Sequence, residues 1–451
     1  MLAIRPLGFG LLCSCLLVIH STAQAFCGFY VAKADTQLFN TASKVAMARH
    51  DNKTVITMAN DYQGTPNEFA IVIPVPEVLK RDQIHVTEPA IVDHLDAYTA
   101  PRLVEYHDED PCRPPMVALR SRVGAVQEAA PSAKARDRSL GVTIEAAYTV
   151  GEYDILILSA QESAGLETWL LQNDYRIPDG ARPVLASYLQ KGMKFFVAKV
   201  NLKVHRDRGT TYLRPLQVAF ESDAFMLPIR LGMINASGPQ ELFIFMLTRE
   251  GRVETVNYPV KRIPSNMQIP LYIKNEFGEF YRAMFEEQVR MDQMRSVFLE
   301  YAWDMGWCDP CAADPLSVDE LRELGVFWQQ PVATTGLPGQ ARDVFVTRLH
   351  LRYTAETFPH DLVFRETDDR KNFQGRYILR HPWKGRIAHC PAAQKYREGL
   401  PQRFESEARE LAQLTGWELA AIRQKMVDNG QSFEPVPGSD DPEWYKKLWR
   451  K

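Results

Sequence analysis

Beyond its first twenty-five residues this chain sustains no apolar run longer than a β-strand. Leu242 to Leu247, six residues, is among the longest, whereas a membrane-spanning helix needs about twenty. The 451 residues are 45% apolar and 24% charged, an ordinary composition for a folded protein. Apolar segments this short are buried as strands and amphipathic helices around packed cores. At usual domain sizes the length corresponds to about two or three units.

The order of the runs predicts an α+β fold with a sheet-rich N-terminal half. Val45 and Met47 alternate, His50-Asp51-Asn52-Lys53 makes a polar turn, Val55 to Met58 returns, and Phe69 to Val75 is a third run closed by Pro74 and Pro76. Residues 113–140, rich in Ala, Arg, Ser and Pro, read as a loop. A strand-helix-helix-strand unit is expected from Thr143 to Val204. Tyr153 to Leu158 is a buried-strand pattern, and Ser159 with Glu162 forms a capping box for a helix carrying Leu166, Trp169 and Leu170. Pro183 opens a second helix, Gly192 ends it, and Phe195 begins the returning strand.

Further strands are predicted at Leu216 to Phe220, Phe225 to Ile229, Leu242 to Thr248 and Val253 to Tyr258. After Pro264, Phe285, Val289, Met294, Val297, Phe298 and Tyr301 recur at helical spacing and predict one long amphipathic helix over residues 277–303. Ser317 with Glu320 caps a short helix. Val344 to Tyr353, Leu362 to Arg365 and Gly375 to Leu379 read as strands, residues 329–340 as loop, and Phe404 to Met426 as helices. The expected division is a leader (1–25), an α+β domain (26–262) and a mixed helical and strand region (263–451).

The N-terminus has the three parts of a secretory signal peptide: basic Arg5, an apolar stretch from Leu7 to Ile19, and Ala23-Gln24-Ala25 ahead of a cleavage point at Phe26. Export to the periplasm or beyond, without stable membrane insertion, is the expectation. Bulky Phe26 before Cys27 does not suit lipid attachment. A formal net charge of −3 argues against a nucleic acid partner, which calls for clustered Lys and Arg.

Cys13 and Cys15 leave with the leader, so Cys27, Cys112, Cys308, Cys311 and Cys390 remain for an oxidising compartment. Pairing Cys308 with Cys311 and Cys27 with Cys112 leaves Cys390 as a free thiol, although spacing does not fix connectivity.

The stretches CGFYVAKADTQLFN from Cys27, FAIVIPVP from Phe69, HLDAYTAPRLVEY from His94, VGEYDILILSAQESAGLETWL from Val150, YLRPLQVAFES from Tyr212 and WCDPC from Trp307 resemble a bacterial family known as domain of unknown function 2330. The resemblance spans most of residues 27–311. It implies an exported protein and carries no catalytic or binding residue.

Trp307-Cys308-Asp309-Pro310-Cys311 is similar to the redox motif of thioredoxin-fold oxidoreductases, but a helical pattern precedes it and Pro315 follows, where that fold needs a strand and then a helix. A structural disulfide is the simpler reading. Cys308, Cys311 and Cys390 with His389 make a chemically sensible zinc set but lack a second closely spaced ligand pair. Asp93, His94 and Asp96 with His107, Asp108, Glu109 and Asp110 form the densest polar cluster, in no standard ligand frame; a solvated turn before Pro111 accounts for residues 107–110, and His94 reads as a helix-face residue. No nucleophile elbow or phosphate loop is present. Trp169, Tyr188, Phe195, Phe196 and Trp303 read as core rather than as a ligand groove.

No cofactor or metal is expected. These observations lead to a non-enzymatic exported protein that binds or scaffolds an envelope protein or a small ligand, with a thiol-disulfide oxidoreductase using Cys308 and Cys311 as the alternative.

Overall fold

The computed structural model describes residues 29–33, 43–60, 69–113, 143–159, 163–172, 175–177, 180–200, 213–236, 238–307, 309, 313–329, 343–385 and 390–434. The leader, Cys27, Cys308, Cys311, His389 and nearly all of the 113–140 loop lie outside them.

The fold is α+β, and its centre is two sheets packed face to face. One has six strands, in the order Thr143–Val150, Tyr153–Ser159, Lys194–Val200, Phe69–Val75, Phe29–Lys33 and Tyr175–Arg176. The other has nine. Its main path runs Val260–Arg262, Val297–Asp304, Phe345–Tyr353, Gln240–Thr248, Ser43–His50, Lys53–Asn60, Leu216–Glu221 and Ile84–Val86, and Phe373–Gln374 pairs with Val297–Asp304. This sheet draws strands from both sides of residue 262.

Alternation of side chains along each strand separates the layers. Val45, Met47, Ile56, Met58, Leu242, Ile244 and Leu349 of the larger sheet meet Phe69, Ile71, Ile73, Ile155, Phe196 and Ala198 of the smaller in one core. The opposite faces carry helices. Ala70, Val72, Phe195 and Val197 receive the helices Ser163–Gln172 and Ala181–Gln190. Ala46, Ala48, Phe245 and Val346 receive Pro89–Thr99 and Val318–Glu323, and Phe298 receives Phe277–Met291, against which Pro391–Thr415 packs, with Leu419–Asp428 in turn against Pro391–Thr415. The arrangement is helix, sheet, sheet, helix.

The long helix expected over residues 277–303 is corrected. It stops at Met291, and Val297–Asp304 is a strand. Gln293 and Met294 take φ of 55° and 52°, and the Met294 N–H closes on the Val289 carbonyl at 3.0 Å, which reverses the chain. The helical spacing misleads because the strand is bulged between Leu299 and Tyr301. The extra residue, Glu300, shifts the parity, so Phe298 and Tyr301 both face the helices while Val297 and Leu299 face the other sheet. The strand expected over Phe225 to Ile229 is only Met226–Leu227, followed by a 3-10 turn over Arg230–Asn235. The capping box at Ser317 and Glu320 is present: Ser317 Oγ accepts the Glu320 N–H at 3.2 Å and Glu320 Oε2 accepts the Ser317 N–H at 2.8 Å.

Candidate binding cleft

Between the two sheets, at the end of the strand Phe69–Val75, the shared core opens into a cleft of about 490 Å³. Its walls follow from strand parity. Ile56 and Met58 of Lys53–Asn60 and Val218 and Phe220 of Leu216–Glu221 turn toward Ile73 and Val75 of the facing sheet, and Pro74, Pro76, Met193, Met226, Leu227 and Pro228 complete an almost wholly apolar lining. The volume lies within the range of about 300–1,000 Å³ used for small organic ligands. Pro74 falls past the residues paired with Phe29–Lys33, where a missing N–H is tolerated.

The rim is polar. Lys191, Ser222 and Asp223 stand there, with Ala224 beside them. Lys191 is set by the end of the helix Ala181–Gln190, where Gly192 takes φ 76°, its N–H bonding the Leu189 carbonyl at 2.8 Å, and the Met193 N–H bonds the Tyr188 carbonyl at 3.1 Å. Lys191 Nζ donates to Asp361 Oδ2 at 3.1 Å. Asp361 is buried and also accepts the Tyr188 hydroxyl at 2.5 Å and the Ile229 N–H at 3.2 Å. Burial first, and then the Asp361 charge, push the Tyr188 phenol far above its ordinary value. The phenol therefore stays a donor. The cleft can take an apolar group out of water, with the Asp361-paired ammonium of Lys191 and the carboxylate of Asp223 at its mouth.

A second constellation is charged and closed. On the helix side of the larger sheet the bulge delivers Glu300 beneath Arg348 and His350. Arg348 Nε donates to Glu300 Oε2 at 2.5 Å and Nη1 to Asp96 Oδ1 at 2.5 Å. His350 places Nδ1 at 2.6 Å from Glu300 Oε1 and Nε2 at 2.7 Å from Glu241 Oε1, between the rings of Phe285 and Phe243. Tyr281 donates its hydroxyl to Glu300 as well. With a carboxylate on each nitrogen the ring is an imidazolium donating twice. Burial opposes that charge, but Glu300 and Glu241 outweigh it and raise the His350 pKa. Burial likewise pushes Glu300 and Glu241 up, yet the neighbouring cations hold both at about 2. Glu300, Arg348 and His350 are all buried, so the set ties the helices Pro89–Thr99 and Phe277–Met291 to the sheet.

The cysteine expectations change. Cys112 is bonded to Cys390, which corrects both the Cys27–Cys112 pair and the free Cys390, and removes Cys390 from the zinc set. Cys308 and Cys311 lie outside the described residues; Asp309 accepts the Tyr301 hydroxyl at 3.0 Å and Gln374 Nε2 at 2.8 Å. Among the described residues no group of three or more His, Cys, Asp or Glu is placed to hold a metal ion.

The polar cluster is dispersed into structural roles. His94 joins two helices, with Nδ1 2.8 Å from Glu320 Oε1 and Nε2 2.8 Å from the Asp314 carbonyl. The solvated turn expected at residues 107–110 is corrected at Asp108, which accepts Arg403 Nη1 at 2.5 Å, the Tyr396 hydroxyl at 2.6 Å and Arg380 Nη1 at 3.3 Å. Tyr188, Phe195 and Phe196 are core residues, and Trp169 and Trp303 pack against cores. The cleft itself had no local sequence signal; its lining comes from four separated stretches that read individually as strand or turn.

No helix among the described residues is long and apolar enough to cross a membrane. Comparison with curated proteins and with solved structures gave no match. A family model, described as an uncharacterized protein conserved in bacteria, matches residues 21–365. The chain thus belongs to the DUF2330 family, and the helices from Pro391 onward lie beyond the matched residues.

Proposed function

We propose that this protein is a non-catalytic binding component of the cell envelope, exported through its N-terminal leader, and that the cleft between the sheets is its ligand site. The cleft carries the reading. Its apolar lining would be filled at a gain of about 25 cal/mol for each Å² of apolar surface removed from water, and its polar rim leaves one open end for a head group. Export is supported by the leader pattern and by the Cys112–Cys390 bond, since such bonds persist in oxidising compartments.

The test is titration calorimetry with linear alkanols on the full mature chain. Each added methylene is expected to tighten binding about three- to fourfold until the cleft is filled, and Ala224→Trp, a bulky group at the exposed rim, is expected to abolish the series. Absence of saturable binding for every chain length, or binding that Ala224→Trp leaves intact, would contradict the assignment. For export, N-terminal sequencing of the protein from a periplasmic fraction is expected to start at Phe26; an intact Met1 on cytosolic protein would contradict it.

A further inference from the structure

Of the described residues lining the cleft, one is basic, Lys191, and one acidic, Asp223. We propose that the cleft takes single-chain anionic amphiphiles, a long-chain carboxylate being the simplest, with the chain between the sheets and the head group on Lys191 Nζ. This rests on the cleft being a ligand site.

The ammonium is held and incompletely used. It carries three donors, of which the one to Asp361 Oδ2 is occupied, and half of its side chain is exposed, 51% against 2% for Asp361. Asp361 fixes the direction of the chain without closing off the amine. Its other oxygen is satisfied by Tyr188 and the Ile229 N–H, so Lys191 can share its remaining donors with a ligand and leave no buried carboxylate bare. The base of the Lys191 turn is pinned by Gly192 and Met193, and Met193 is itself part of the apolar wall. Head-group and chain contacts therefore adjoin.

Asp223 stands on the same rim beside Ser222, whose carbonyl accepts the Arg49 guanidinium at 3.0 Å; that guanidinium also donates to Thr54 Oγ1 at 2.7 Å and is shared among the charges of Glu366, Asp223 and Asp51. A cationic head on the same apolar chain meets Lys191 directly and is disfavoured.

Calorimetry with dodecanoate, dodecan-1-ol and dodecylamine, on the full chain and on Lys191→Met, Lys191→Arg and Ala224→Trp, tests the assignment. Dodecanoate is expected to bind about fivefold or more tighter than the alcohol, the amine weakest. Lys191→Met should bring acid and alcohol together, and Lys191→Arg should restore the preference. Equal affinity for acid and alcohol in the native chain, or a preference that survives Lys191→Met, would overturn the head-group assignment while leaving the cleft reading standing. Binding of none of the three compounds would overturn both.

Discussion

Cys112 is bonded to Cys390, 278 positions further along the chain. The bond joins the turn after the strand Arg102–His107 to the residue that caps the helix Pro391–Thr415. Asp110 Oδ1 accepts the Cys112 N–H at 2.9 Å, and Asp108 gathers Arg403, Tyr396 and Arg380 from the other side of the junction. A helical segment beyond the matched family residues is thus stapled to the family core by one covalent bond and one half-buried carboxylate.

Reduction, or Cys390→Ser, is expected to lower stability by about 2–4 kcal/mol, the usual contribution of a bond that closes a long loop. Urea unfolding measures the loss, and limited proteolysis should show new cuts within residues 390–434. An unchanged midpoint, or a peptide map that links Cys112 to Cys27, would contradict the staple.

Glu300→Gln leaves Arg348 and His350 buried with one partner fewer, and a loss of about 3–5 kcal/mol is expected. The native chain should show the matching pH profile. Glu300 and Glu241, held at about 2 in the folded state, contribute stability that is present above the ordinary carboxylate value near 4.5 and disappears as the pH falls toward 2. His350, with its pKa raised, contributes below about 6.5 and ceases to contribute as the pH climbs through its folded value. Melting temperatures from pH 2 to 9 check both limbs, and Glu300→Gln should flatten the acid one.

Glu407 shifts in the opposite sense to Glu300 and Glu241. Burial, only partly offset by Arg403, lifts it to about 7, and Oε2 accepts Gln431 Nε2 at 2.9 Å. A raised carboxyl contributes stability below 4.5 that is lost as the pH rises through 7. Glu407→Gln is therefore expected to stabilise the protein at pH 8, on the order of 1–3 kcal/mol, and to do little at pH 5. Chemical unfolding of both forms at the two pH values measures the difference.

The α+β class and most strands were legible because a half-buried strand alternates, as Val45, Met47, Ile56 and Met58 do. The region around Glu300 was not, since a bulge moves Tyr301 onto the face of Phe298 and imitates a helical stripe. Asp108 illustrates a second limit. In sequence it is one acid among four polar neighbours, and its meaning depends on Arg403, nearly three hundred residues away. The cleft shows a third: Ile73 and Val218 look like any strand residues, and the space between them exists only because two sheets part at their ends.

The most direct test of the cleft as a ligand site is methyl NMR on the methionines during a titration with dodecanoate. The result expected is saturable movement of the Met58, Met193 and Met226 signals, which line the cleft, with Met284 and Met426 in the distant helical core unmoved. Saturable binding with the three cleft methyls unshifted, or no binding, would contradict it.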